Sequence, residues 1–250
     1  TIIIIMLLKK GTRGQLTIFI IIAILIIGII ALFFVFKGTL RKSEMINPEI
    51  APIHNFVQGC LDETLESAVY DIAKRGGYND PENIPSIGVK YYILNGENLM
   101  PSKEKIQNEI SDYVTRKFFL CSLNFADFPD YEIEQGNFEA KTEILDNEVF
   151  LDVNYPLTIK KGEGVSRLKN FQTEIPSRFG IVYNVVSDFI IQDLNSEGGG
   201  VCVTCLTKAT KEKNLYVEMN STNEGVIFDF IDENSKLNNQ SLEWIFANKY

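Results

Sequence analysis

Leu16 to Phe36 is a run of 21 residues without one charged side chain, dominated by isoleucine. At about 1.5 Å of rise per residue, a helix of this length spans roughly 30 Å, the thickness of a bilayer hydrocarbon core. The run is flanked by Lys9, Lys10 and Arg13 on one side and by Lys37, Arg41 and Lys42 on the other. A buried core helix has no use for cations at both ends, so the sequence predicts a single transmembrane helix. Three cations on each side leave the positive-inside rule undecided, and the flanks alone do not orient the helix.

The stretch before the run supplies the orientation. It reads Lys9-Lys-Gly-Thr-Arg-Gly14, then Gln15, then the apolar helix. A secretory signal carries small residues at a cleavage site after its apolar segment; here the small and basic residues come first. This resembles the class III, prepilin-type signal of archaeal pilins. That resemblance implies cleavage between Gly14 and Gln15 on the cytoplasmic side, a retained helix, and a domain outside the cell. Pilins that assemble often carry a glutamate at the fifth mature position, where this chain has Phe19. Met6 is the expected initiator.

Charge separates the anchor from the rest of the chain. No acidic residue precedes Glu44, and from Ser43 onward 18 basic residues face 33 acidic ones, a net of −15. Such a surface repels phosphate backbones, so nucleic acid is excluded as a partner. The expected organisation is a basic leader at 1–14, the transmembrane helix at 15–36, a stalk at 37–47, a mainly helical part at 48–130, and a mixed part at 131–250.

Periodicity builds that outer domain. Ile53, Phe56, Val57, Cys60, Leu61, Leu65, Ala68, Val69 and Ile72 recur at three and four, predicting a helix from Ala51 to Lys74, stopped by Gly76-Gly77. A loop and hairpin with a short strand at Val89–Leu94 come next. A second helix is expected from Pro101-Ser102 to Leu123, with Ile106, Ile110, Val114, Phe118 and Cys121 inward. Phe138, Ala140, Thr142 and Ile144, then Val149 through Ile159 after Asp146-Asn147, alternate as an antiparallel hairpin. Val165, Leu168, Phe171, Ile175, Phe179, Val182, Val186 and Phe189 read as a third helical stretch, broken or kinked at Pro176. Strands are expected at Val201–Leu206, Leu215–Met219, Val226–Ile231 and Leu242–Ala247. The fold class is therefore α+β, with helices packed on an antiparallel sheet.

Four cysteines are the most informative polar chemistry. Cys60 and Cys121 lie on the apolar faces of two separate predicted helices, and Cys202 and Cys205 form a Cys-Val-Thr-Cys pair. An even number outside the cell suggests disulfides Cys60–Cys121 and Cys202–Cys205. A redox pair would place its first cysteine at a helix N-terminus, whereas Val201, Val203 and Leu206 read as strand or turn. Asn220-Ser-Thr222 and Asn239-Gln-Ser241 match the N-glycosylation pattern. His54 is the chain's one histidine, so no Ser-His-Asp or Cys-His set is available, and Asp229, Asp232 and Glu233 read as solvated strand ends. No catalytic set, metal site or cofactor is expected.

Phe56-Val-Gln-Gly-Cys60, Arg75-Gly-Gly-Tyr78, Tyr155-Pro-Leu157 and Ile175-Pro-Ser-Arg-Phe179, together with the anchor, are similar to uncharacterised membrane-anchored proteins of small-genome archaea. That resemblance implies a surface location and no particular activity. The expected function is a membrane-anchored, pilin-like surface protein with a binding or envelope-building role. Its partners would be the bilayer through Leu16–Phe36 and itself or other envelope proteins. The alternative is an extracytoplasmic enzyme, either a thiol–disulfide oxidoreductase using Cys202 and Cys205 or a carboxylate-based hydrolase.

Overall fold

The computed structural model describes residues 21–28, 47–79, 84–196 and 199–250. The chain divides into two compact units, Thr1–Ile46 and Asn47–Tyr250. In the first, residues 21–28 are helical. The rest of the apolar run, the Gly14–Gln15 site and residues 37–46 lie outside the described residues. Among those described, no helix is long and apolar enough to cross a membrane.

The second unit is α+β, built from four helices and nine strands among the described residues. Helix α1, Ala51–Lys74, buries Ile53, Val57, Cys60, Leu61, Leu65, Ala68, Val69 and Ile72. Its end is set by glycine. Gly76 and Gly77 both have positive φ, and the Gly77 N–H reaches back to the Ile72 carbonyl at 2.8 Å. A Cβ on Gly77 would stand 2.9 Å from Ile106 Cγ1, so the turn also lets α1 approach the next helix.

After the hairpin β1 (Tyr91–Leu94) and β2 (Glu97–Asn98), helix α2 runs Lys103–Ser122. Ser102 caps it, its side chain accepting from Lys105 N at 3.2 Å, which satisfies one of the free N–H groups of the first turn.

Two sheets complete the unit. In the first, β5 (Glu148–Lys161) is the spine, with β3 (Glu132–Gln135) and β4 (Glu139–Ile144) along one edge and β6 (Gly164–Pro176) along the other, all antiparallel. The inward face of β5 is Val149, Leu151, Val153, Tyr155, Leu157 and Ile159, each buried. Helix α2 covers the outer edge of β4: Ser111 Oγ accepts from Thr142 N at 3.0 Å and Gln107 Oε1 accepts from Ile144 N at 3.1 Å.

The second sheet has the order β2-β1-β9-β8-β7, with β7 Tyr216–Thr222, β8 Gly225–Leu237 and β9 Gln240–Lys249. It is mixed, because β1 runs parallel to β9. The expected purely antiparallel sheet is thus two sheets, one with a parallel pair. Helix α3, Phe179–Leu194, sets Phe189 against Phe228 and Phe230, and Phe179 against Trp244. The Trp244 Nε1–H donates to Tyr92 Oη, whose own hydroxyl donates to the Gly76 carbonyl, both at 2.9 Å.

Two further expectations are corrected. Residues 165–176, read as the start of a helix, form strand β6. Its pairing with β5 shifts between Asn154 and Leu157, so Leu168 and Phe171 both face inward three residues apart. A β-bulge of this kind breaks the two-residue period and imitates a helical one. Only from Phe179 onward is the stretch helical, and Pro176 ends the strand. The strand expected at Val201–Leu206 is instead the start of helix α4, Val203–Lys211.

Candidate functional site

Helices α1 and α2 are clamped by the disulfide Cys60–Cys121, with Cα atoms 5.7 Å apart. Beyond the clamp their polar faces enclose a cleft of about 460 Å³, lined by Asp71, Arg75 and Asn79 on one wall and Tyr113, Arg116, Lys117 and Leu120 on the other. A second hollow of about 360 Å³ shares Tyr113, Lys117 and Leu120 and extends past Glu63, Thr64 and Ser67 to Cys121. Both lie within the size range of small-ligand sites.

The wall groups are held in fixed relation. Tyr113 Oη donates to Asp71 Oδ2 at 2.8 Å. Burial first, then the bond to Asp71 and its charge, push the Tyr113 hydroxyl up to about 12, with Arg75 pulling the other way. It therefore stays protonated and occupies one oxygen of the cleft's nearest carboxylate. Arg75 Nη1 donates to the Asn79 carbonyl at 3.4 Å, Arg116 Nε to the Asp112 carbonyl at 3.4 Å, and Lys117 Nζ lies 5.9 Å from the Tyr113 ring centroid. Among the described residues, none of these three cations is in an ion pair with a carboxylate. Asn79 is 7% exposed, and among the described residues its side-chain Nδ2 has no hydrogen-bond partner. Leaving such a donor unpaired costs roughly 1–3 kcal/mol.

No family model, curated protein or solved structure matches this chain. The functional reading therefore rests on the residues themselves.

The second pair of cysteines forms the disulfide Cys202–Cys205. Cys202 is the N-cap of α4, and its sulfur accepts from Cys205 N at 3.3 Å. This corrects the sequence argument that set the pair on a strand or turn. Cys202 N donates to Asp193 Oδ1 at 2.7 Å. Asp193 is itself buried and accepts at Oδ2 from Asn248 Nδ2 at 3.0 Å and from the Tyr250 hydroxyl.

The remaining singled-out residues are scattered. His54 sits in the first turn of α1, its ring stacked on Phe171 at 5.5 Å. Asn220 is exposed on β7, and Asn239 is exposed in the turn between β8 and β9. Of the acidic trio only Glu233 is exposed, and all three lie within β8 rather than at its ends. Asp232 is fully buried and bonded to Arg178, and Asp229 is half-buried in β8. Among the described residues no group of three or more His, Cys, Asp or Glu is arranged to hold a metal ion.

Sequence reasoning passed over Asn79, Arg116 and Lys117 and named Arg75 only within the Arg75-Gly-Gly-Tyr78 stretch. The available signal was small. Asp71 in the last turn of α1 and Arg75 just past its end stand four apart, and Tyr113, Arg116 and Lys117 lie close together on α2, each helix carrying one cysteine of the bridge.

Proposed function

We propose that this chain is a single-pass membrane protein of the cell surface. Leu16–Phe36 holds it in the bilayer with the N-terminus inside, and the Asn47–Tyr250 unit works outside the membrane by binding rather than by catalysis. The observation that carries this is the pairing of an uncharged 21-residue run with a domain whose four cysteines are all in disulfides, the state favoured in oxidising compartments. The helical residues 21–28 agree with it, since their isoleucine and leucine side chains are 46–66% exposed and suit contact with lipid. The prepilin-type patch before the helix supports cleavage at Gly14–Gln15, and the open α1–α2 cleft supports a binding role.

Two measurements test the reading. Sequencing the mature N-terminus should give Gln15; an intact Met-Leu-Leu-Lys start sinks the processing claim. Protease added to intact cells should degrade the domain, and full protection would reverse the topology. Filament formation is a separate matter, decided by whether purified protein forms fibres despite Phe19.

One observation favours a second reading, thiol–disulfide exchange at Cys202 and Cys205. Helix N-termini stabilise a thiolate, and the Cys202 sulfur already accepts a backbone N–H there. In the reduced form, the Cys202 thiolate would attack a substrate disulfide and release one substrate thiolate. The Cys205 thiolate would then attack the Cys202 sulfur, close the pair and release the second. Each turn oxidises the cysteine pair by two electrons and reduces one substrate disulfide. Loss of insulin reduction in Cys202→Ser supports this reading, and wild-type protein inert in that assay removes it.

A further inference from the structure

We infer that the cleft between α1 and α2 is a binding site for a small ligand carrying an oxyanion, a carboxylate or a phosphate. Three cations, Arg75, Arg116 and Lys117, converge on one cavity of about 460 Å³ in a domain whose net charge is strongly negative. Asp71, the carboxylate facing them, is engaged by the Tyr113 hydroxyl. A hydrogen bond from a neutral hydroxyl does not cancel a carboxylate's charge, so the cleft sets three cations against one lining carboxylate, and this excess of positive charge favours an anion.

Asn79 also lines the cavity, its carbonyl accepting from Arg75 Nη1 at 3.4 Å, and it is held in place by burial, being 7% exposed. Two guanidinium groups and an ammonium carry donors only and outnumber the single lining carboxylate, Asp71, which makes the cleft the complement of an oxyanion. The adjoining hollow adds the opposite chemistry. Glu63 and Ser67 offer acceptors beyond the Tyr113 and Leu120 side chains, matching a ligand whose other end carries hydroxyl groups. Acidic or phosphorylated sugars combine both ends. The assignment deepens the binding role proposed above by naming a ligand class. It is tested on purified protein, so its failure is distinguishable from a failure of the topology experiments.

The test is calorimetric titration of the full-length chain in detergent with glucuronate, with glucose 6-phosphate and with glucose. At least one of the two anions should bind, and glucose should bind at least roughly tenfold more weakly, as expected when charge-assisted hydrogen bonds are lost. Which anion binds tells carboxylate from phosphate. Arg116→Gln and Lys117→Gln change exposed side chains and leave the core alone; each should weaken the anion by roughly tenfold, and raised salt should weaken it further. Asn79→Asp should remove binding while Asn79→Gln retains part of it. The inference is overturned if neither anion binds, or if binding is unchanged in the Arg116→Gln, Lys117→Gln double variant.

Discussion

The guanidinium of Arg178 donates from Nη1 to Oδ1 of Asp232 at 2.7 Å, and that carboxylate is completely buried. Arg178 lies just before α3, and Asp232 lies where the pairing of β8 with β9 shifts register. Ser235 Oγ completes the corner, donating to Asp232 Oδ2 at 2.8 Å and accepting from Arg178 N at 2.7 Å. Removing the cation strands a buried charge, which typically costs about 3–5 kcal/mol. Arg178→Ala should lower the urea midpoint accordingly, and Arg178→Lys should recover part of the loss. A change below about 1 kcal/mol would mean water reaches Asp232.

Asp229 predicts a pH dependence. Burial, then the nearby charges of Glu243 and Glu218, push its carboxyl up to about 6, with Lys74 opposing. Unfolded, the same group titrates near 4. The folded state thus holds the proton more tightly, so the contribution is favourable below about pH 4 and is lost as pH rises through about 6. A dry site would give about 3 kcal/mol; screening at a half-buried position reduces this to about 1. Asp229→Asn should therefore stabilise the protein at pH 8 and change little at pH 4. Equal effects at both values would refute the assignment.

The two disulfides should differ in weight. Cys60–Cys121 closes a span of 61 residues, and Cys202–Cys205 closes one of 3. Loop-closure entropy assigns about 4 kcal/mol to the first and about 2 to the second. Paired alanine variants, compared by thermal unfolding, should show the larger loss at Cys60 and Cys121. That variant should also lose the oxyanion cleft, because nothing else covalently holds α1 to α2 beside it.

Gly180 is a packing constraint within α3. A Cβ built there would meet the Leu145 carbonyl oxygen at 2.3 Å, with Asp146 Cα at 3.1 Å. The first turn of α3 therefore rests directly on the turn joining β4 to β5. Gly180→Ala should cost about 2–3 kcal/mol by overpacking, although alanine is the better helix former. Unchanged or raised stability would show that the turn yields freely.

Elements with an undisturbed period were legible in the sequence. Helix α1 was read to its observed bounds from its apolar face and terminal glycines, and the β4–β5 hairpin from strict alternation around Asp146-Asn147. Strand β6 was not, because the bulge opposite Leu168 and Phe171 turned a two-residue period into a three-residue step. Helix α4 was hidden by Val203, Thr204, Thr207 and Thr210, which favour strands. Its threonines spend their hydroxyls on the turn before, Thr207 to the Val203 carbonyl at 2.8 Å and Thr210 to that of Leu206 at 3.0 Å. Both cysteine pairings were readable from spacing and face. The cleft was not, since Arg75, Arg116 and Lys117 look like ordinary solvated helix positions until the Cys60–Cys121 bridge brings the two helices together.

The parallel pairing of β1 with β9 joins Tyr91 to Ala247, so most of the Asn47–Tyr250 unit lies between the two strands in sequence. Strand β9 is central to its sheet, with β1 on one side and β8 on the other. During synthesis, β1 is made long before its neighbour and carries an unpaired edge until residues beyond 240 arrive. Local pieces such as the β4–β5 hairpin can form as they emerge, but this sheet closes late and depends on long-range contact. A polypeptide threaded through a translocation pore would hold that edge exposed for most of its passage, the interval in which a chaperone on the receiving side would find it.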